Sequence, residues 1–120
     1  MSAQLQSICS DRANRSTTAR VLQAENACYR GTCGISEENR CLGFQPAFFD
    51  TRSETIHLSR FADGRPAPIH VLDGLPDELV VERDALGRVR AAKGCVIAGF
   101  VLDGRFYTRE AAAKRAAQLS

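Results

Sequence analysis

The dipeptide Asp103-Gly104 constrains this chain more than any other feature. It stands between two apolar runs, CVIAGFVL and RFYT. A two-residue turn that follows strand twist needs positive φ at both central positions, and Asp-Gly supplies them at little cost. The register this dictates sets Leu102 opposite Arg105, Val101 opposite Phe106 and Phe100 opposite Tyr107. Just upstream, ELVVERD-ALG-RVRAA predicts another hairpin, with Gly87 at the left-handed position of a three-residue loop. That pairing sets Asp84 against Arg88 and Glu82 against Arg90, so opposite charges face each other. Residues 95–102 are apolar on both faces, as in a central strand or one that covers a second layer or subunit. Gly99 within that run predicts a bulge or a close backbone approach.

The remaining elements follow from weaker signals. ARVLQAENACYR has near-helical spacing at Val21, Leu22, Cys28 and Tyr29, with Ser16 or Thr17 as cap and Gly31 as stop. Ser36–Asn39 can open a short helical turn. AFFD-TRSE-TIHL predicts a hairpin in which Ile56 and Leu58 share one face and His57 turns to solvent. Ile69–Leu72 reads as a short strand closed by Asp73-Gly74. Thr108 caps a terminal helix in which Glu110 precedes Lys114 by four residues. Strands grouped between two helices predict an α+β fold. It consists of a small, mainly antiparallel β-sheet of about five or six short strands with an N-terminal and a C-terminal helix. Residues 16–120 form the single domain, and residues 1–15, polar and aperiodic, form a flexible tail.

The chain has 120 residues, enough to bury a core, but no Trp. Phe44, Phe48, Phe49, Phe61, Phe100, Phe106 and Tyr107 are therefore the expected large core residues.

Several function classes recede on composition. There is no apolar run of the ~20 residues that would span a bilayer, and the N-terminus lacks the pattern of a secretory signal, so the protein reads as cytoplasmic. Net charge is only +2, but it is unevenly spread: residues 88–120 carry seven basic residues against Asp103 and Glu110. Arg88, Arg90, Arg105, Arg109 and Tyr107 are the candidates for binding an anion or nucleic acid, because arginines rimming aromatics on a sheet can hold phosphates and stack bases. Five cysteines are an odd number, which argues against a disulfide framework. Cys28, Cys33 and Cys41 cluster in sequence without the tight pairs of structural zinc sites. With Cys9, His57 or His70 as a fourth ligand they are the candidate metal set, and zinc is the candidate cofactor. Cys28 or Cys33 could act as a nucleophile with His57 or His70 as base, oriented by Asp50 or Asp73. Small buried cysteines account for the same pattern.

The stretches VLQAENACYRGTCGISEENR, RFADGRPAPIHVLDGLPDE and GFVLDGRFYTREAA resemble those of small uncharacterised bacterial proteins, over residues 16–113. The resemblance implies a stand-alone bacterial protein and brings no catalytic or ligand-binding residue. The leading expectation is a non-catalytic binding, accessory or protein-interaction module, with a homodimer formed through Val101 and Phe106 of the apolar hairpin. A nucleic-acid-binding domain comes second, and a cysteine-dependent enzyme or zinc-binding protein third.

Overall fold

The computed structural model describes residues 16–119; the expected tail and Cys9 lie outside the described residues. Seven strands and three helices follow in the order β1 (Thr17–Thr18), α1 (Ala19–Tyr29), α2 (Ser36–Asn39), β2 (Gln45–Asp50), β3 (Thr55–Leu58), β4 (Val80–Arg83), β5 (Val89–Ala92), β6 (Val96–Leu102), β7 (Arg105–Thr108) and α3 (Arg109–Leu119). All pairings are antiparallel. The fold is α+β, with the strands divided between two sheets, β1-β5-β4 and β3-β2-β6-β7. The predicted β4–β5 and β6–β7 hairpins therefore belong to different sheets, and Lys93–Val96 turns the chain from one to the other through a Val96 N–H bond to the Lys93 carbonyl.

The β6–β7 hairpin has the register that Asp103-Gly104 dictates. Leu102 faces Arg105, Val101 faces Phe106 and Phe100 faces Tyr107. Asp103 (φ 53°) and Gly104 (φ 79°) are both left-handed, as a turn matched to strand twist requires. The β4–β5 hairpin also forms. Gly87 has φ 84°, and the Asp84 N–H bonds the Arg88 carbonyl. Its expected inner register is corrected by a bulge, which sets Glu82 opposite Ala91 rather than Arg90. The two charges still approach to 3.6 Å on the surface, a contact of little energetic consequence.

Two further expectations change. The cap of α1 is Thr18, whose hydroxyl accepts from the Val21 N–H. Thr17 is buried instead, and its hydroxyl donates to the Val96 carbonyl at 2.8 Å, tying the start of the domain to β6. Ile69–Leu72, expected as a strand, joins no sheet. The buried Ser59 hydroxyl donates to the Ile69 carbonyl and accepts from the Val71 N–H. A side chain thus does the work of a ladder, and the segment is free to cross the face of the larger sheet.

Two apolar clusters form the core. One joins Leu22 of α1 to Phe48, Leu72, Leu75, Leu79 and Val96; the other packs Phe44 and Phe100 against Ala112 and Ala116 of α3. Alanines on α3 let that helix approach closely, and Phe44 supplies the bulk, meeting Phe100 and Tyr107 edge-on at 6.2 and 5.6 Å. Of the expected core aromatics, Phe44, Phe48 and Phe100 are buried, while Phe49, Phe61, Phe106 and Tyr107 are half-buried.

Gly99 is settled as a close approach. A Cβ there would run into the Phe106 ring and the Tyr107 carbonyl. Gly99→Ala is expected to lower stability by about 1–3 kcal/mol, read as a drop in the denaturant midpoint. An unchanged midpoint would mean that β7 can yield at no cost.

Candidate functional site

Cross-strand partners share a face of a sheet, so the register sorts every candidate on the four-stranded sheet. The inner face carries Val96, Ala98 and Phe100 of β6, Pro46, Phe48 and Asp50 of β2, His57 of β3 and Tyr107 of β7. Both core clusters lie on this side, as do Leu22 of α1 and the alanines of α3.

Set into this apolar interior is a polar network that the sequence did not disclose. Arg109, expected at the surface as an anion ligand, is only 3% exposed. Its Nε donates to Glu25 at 3.1 Å and its Nη1 donates to the Gly34 carbonyl at 3.0 Å. The guanidinium lies 5.9 Å from the centre of the Phe100 ring. His70 completes the group. Its Nε2 meets the Gly99 carbonyl at 2.7 Å and its Nδ1 faces Arg109 at 3.4 Å. A carbonyl can only accept, so Nε2 carries the proton and Nδ1 accepts from Arg109. The imidazole sits edge-on to Phe48 and Phe100 at 5.3 and 5.1 Å. Burial, reinforced by the Arg109 charge, pushes its pKa down to about 3, so it is neutral. Burial likewise lowers Arg109 to about 10, which leaves it charged at neutral pH and dependent on Glu25.

The other basic candidates do not share a surface with Arg109. Arg88 and Arg90 belong to the β4–β5 hairpin. They line a cleft of about 560 Å³ with Arg20, but Asp73, Glu82 and Asp84 line it too. Arg105 is on β7, its guanidinium 5.9 Å from the Tyr107 ring, and Tyr107 packs inward on Phe44.

The thiols are dispersed in character. Cys28 and Cys41 are exposed, and Cys33 and Cys95 are half-buried. Cys33 adopts φ 67°, held by a Glu38 carboxylate on its N–H and by Asn39 on its carbonyl. Among the described residues no three His, Cys, Asp or Glu side chains converge into a metal-binding group. His57, expected to turn to solvent, stands opposite Phe48 on the inner face and is half-buried. Burial, then hydrogen bonding to Asp50 and its charge, pushes the Cys95 thiol up, away from the thiolate a nucleophile requires. Burial opposes ionisation of Asp50, but hydrogen bonds from the Ser53 hydroxyl and the Arg52 N–H outweigh it and hold its carboxyl below the usual range.

The outer face of the same sheet is different. Register places Gln45, Ala47 and Phe49 of β2, Ile56 and Leu58 of β3, Ile97, Gly99 and Val101 of β6, and Phe106 and Thr108 of β7 there. None of these is charged. None belongs to either core cluster. Phe49 and Phe106 reach over Gly99 from either side of β6 and stack at 5.2 Å and 25°. Ile56 is 40% exposed, Gln45 and Thr108 are exposed, Phe49, Leu58, Ile97, Val101 and Phe106 are half-buried, and Ala47 and Gly99 beneath them are buried. Both interface candidates, Val101 and Phe106, lie within this patch.

Comparison with protein families, with curated proteins and with solved structures finds no match for this chain. Among the described residues, no helix is long and apolar enough to cross a membrane.

Two outcomes follow from the inner network. His70 is neutral in the folded protein down to about pH 3, whereas in the unfolded chain it takes a proton below about pH 6.5. Its contribution to stability is complete above pH 6.5 and declines as pH falls towards 3. Between pH 6.5 and 5, before most carboxylates titrate, stability should fall by up to about 1.4 kcal/mol per pH unit. His70→Gln should flatten that slope in equilibrium unfolding, and a slope unchanged by the substitution would contradict the assignment. Glu25→Gln leaves Arg109 buried without its counter-charge and should cost about 3–5 kcal/mol, seen as a large fall in the thermal midpoint.

Proposed function

We propose that the protein is a small non-catalytic binding module whose contact surface is the outer face of the four-stranded sheet. The observation that carries this reading is the uncharged patch around the Phe49–Phe106 stack, which belongs to neither core cluster. Monomeric proteins seldom expose a contiguous apolar patch beyond a few hundred Å², and larger ones mark interaction sites. Four strands spaced ~4.8 Å, the inner two about 20 Å long and the outer two about 13 Å, cover roughly 300 Å² in projection, the size of the largest patch on a typical monomer, which is often functional.

The state of the chemically able groups supports the non-catalytic part. Both ring nitrogens of His70 are engaged, Arg109 is tied to Glu25, and the Cys95 thiol is held protonated beside Asp50. The nucleic-acid reading draws less support, because the cleft with Arg88 and Arg90 holds as many carboxylates as arginines.

Retention on a phenyl matrix tests the surface. Ile56→Asp changes an exposed side chain of the edge strand β3, so stability should change by about 1 kcal/mol or less while retention falls clearly. Retention equal to that of the wild type, with the fold intact, would show that the outer face is not presented.

A further inference from the structure

Two adjoining cavities run along α1. One is the cleft of about 560 Å³ between the start of α1 and the β4–β5 hairpin; the other, of about 310 Å³, lies between α1 and α2. Ala19, Leu22 and His70 line both, and no residue of the outer sheet face lines either. Both volumes fall in the range of small-molecule sites.

The cleft holds charges of both signs, but they are not equally committed. Asp84 accepts from the Leu86 and Arg88 N–H groups, Asp73 accepts from the Val89 N–H, and Glu82 lies 3.6 Å from Arg90. The guanidinium groups of Arg20 and Arg88, from facing walls, have no hydrogen bond or ion pair to any described residue. Helix α1 has eleven residues and no acidic residue in its first turn, and its Thr18 cap takes only the Val21 N–H. The N–H groups of Ala19 and Arg20 are thus left to the cleft, at the positive end of the helix dipole. A polyanion meets the sum of the charges, which cancel. A single anionic head within reach of two free guanidinium groups meets those instead.

The smaller cavity indicates what the anion is attached to. Ser36 is only 6% exposed, yet its hydroxyl bonds to no other described residue. Among the described residues, Asn39 Oδ1 is the only fully enclosed side-chain oxygen or nitrogen without a partner. The Ser36 hydroxyl therefore reaches open space, and this cavity is the space that Ser36 lines. A buried hydroxyl unanswered by the fold is answered from outside it. Gln23 and Asn26 line the same cavity, and their amides have no partner among the described residues either. A hydroxyl and two amides each donate and accept, and so do the hydroxyls of a polyol. Arg20, Gln23 and Asn26 recur every third residue, each a neighbour of the next on the surface of α1. They span about 9 Å, the length of a small sugar phosphate.

We propose that the two cavities together bind a sugar phosphate. Its phosphate lies between Arg20 and Arg88 at the start of α1. Its hydroxyls bond Ser36, Gln23 and Asn26, and its carbon face rests on Leu22 and the His70 ring. No bond is made or broken, in keeping with a binding module, and the site is independent of the outer sheet face.

Calorimetric titration of the full chain with ribose 5-phosphate and with glucose 6-phosphate, up to about 10 mM, is the test, with inorganic phosphate and ribose as separate arms. At least one sugar phosphate should bind, about tenfold or more tighter than inorganic phosphate, and ribose alone should not bind in that range. Arg20→Glu and Arg88→Glu, both at exposed positions, should each weaken binding about tenfold or more. Ser36→Ala should weaken the sugar phosphate about 3- to 10-fold and leave inorganic phosphate unchanged. Gln23→Ala, at an exposed helix position, should do the same without disturbing a buried residue. Ile56→Asp should bind as the wild type does. Absence of binding by both sugar phosphates overturns the inference. So does inorganic phosphate or ribose binding as tightly as either sugar phosphate, or binding that survives both arginine reversals. Each of these leaves the outer face untouched, since phenyl retention reads a different surface.

Discussion

A charged guanidinium inside a small protein must be paired, and the burial of Arg109 organises much of this fold. The group is held by Glu25 from α1, by the Gly34 carbonyl from the following loop and by His70 from the segment after β3, and it faces the Phe100 ring on β6. Arg109 itself opens α3. Groups from α1, the loop after it, the segment after β3 and β6 therefore meet at one side chain of α3. A buried ion pair is not in itself a strong source of stability, because desolvation offsets much of the Coulomb attraction. Its consequence is specificity: any packing that separates these regions strands a charge in an apolar interior, so alternative arrangements of α1 and α3 on the sheet are disfavoured.

His70 extends the same logic to the backbone. Its imidazole bonds the Gly99 carbonyl on the strand where Phe106 needs the space of a missing Cβ. One residue position thus couples the two sides of the sheet. Inside, Gly99 offers a carbonyl to the polar network; outside, its lack of a side chain seats the aromatic ridge. The sheet consequently holds the polar network on its inner side and presents an uncharged surface outward.

The hairpins were legible in the sequence because turn chemistry acts over two or three residues. Asp103-Gly104 and Gly87 have the backbone angles their residue types favour, and the register of β6 and β7 follows at once. Less legible was the side of each strand. Alternation in TIHL says that Ile56 and Leu58 share a face, but not whether that face is covered; pairing with β2 puts His57 beside Phe48 and leaves Ile56 outward. The Ile69–Leu72 stretch has a strand-like composition and no strand partner, since the Ser59 hydroxyl answers its backbone instead. Arg109 did leave a trace. A cation immediately after the cap of a helix opposes the helix dipole, and Glu25 interrupts the buried stripe that begins at Leu22. Each is an anomaly alone; together they are a pair.

By itself, then, the sequence determined the α+β class, the turns at Gly87 and at Asp103-Gly104, the central place of β6 and the caps and ends of the helices to within a residue or two, because these depend on local backbone preferences and short-period hydrophobic patterning. Only the tertiary structure decided that the strands divide into two sheets, that Arg109, Glu25 and His70 converge, and that one uncharged face of the larger sheet belongs to neither core cluster. Those outcomes depend on which distant segments meet, and contacts across 39 to 84 residues of chain leave no periodic signal in the residues that make them.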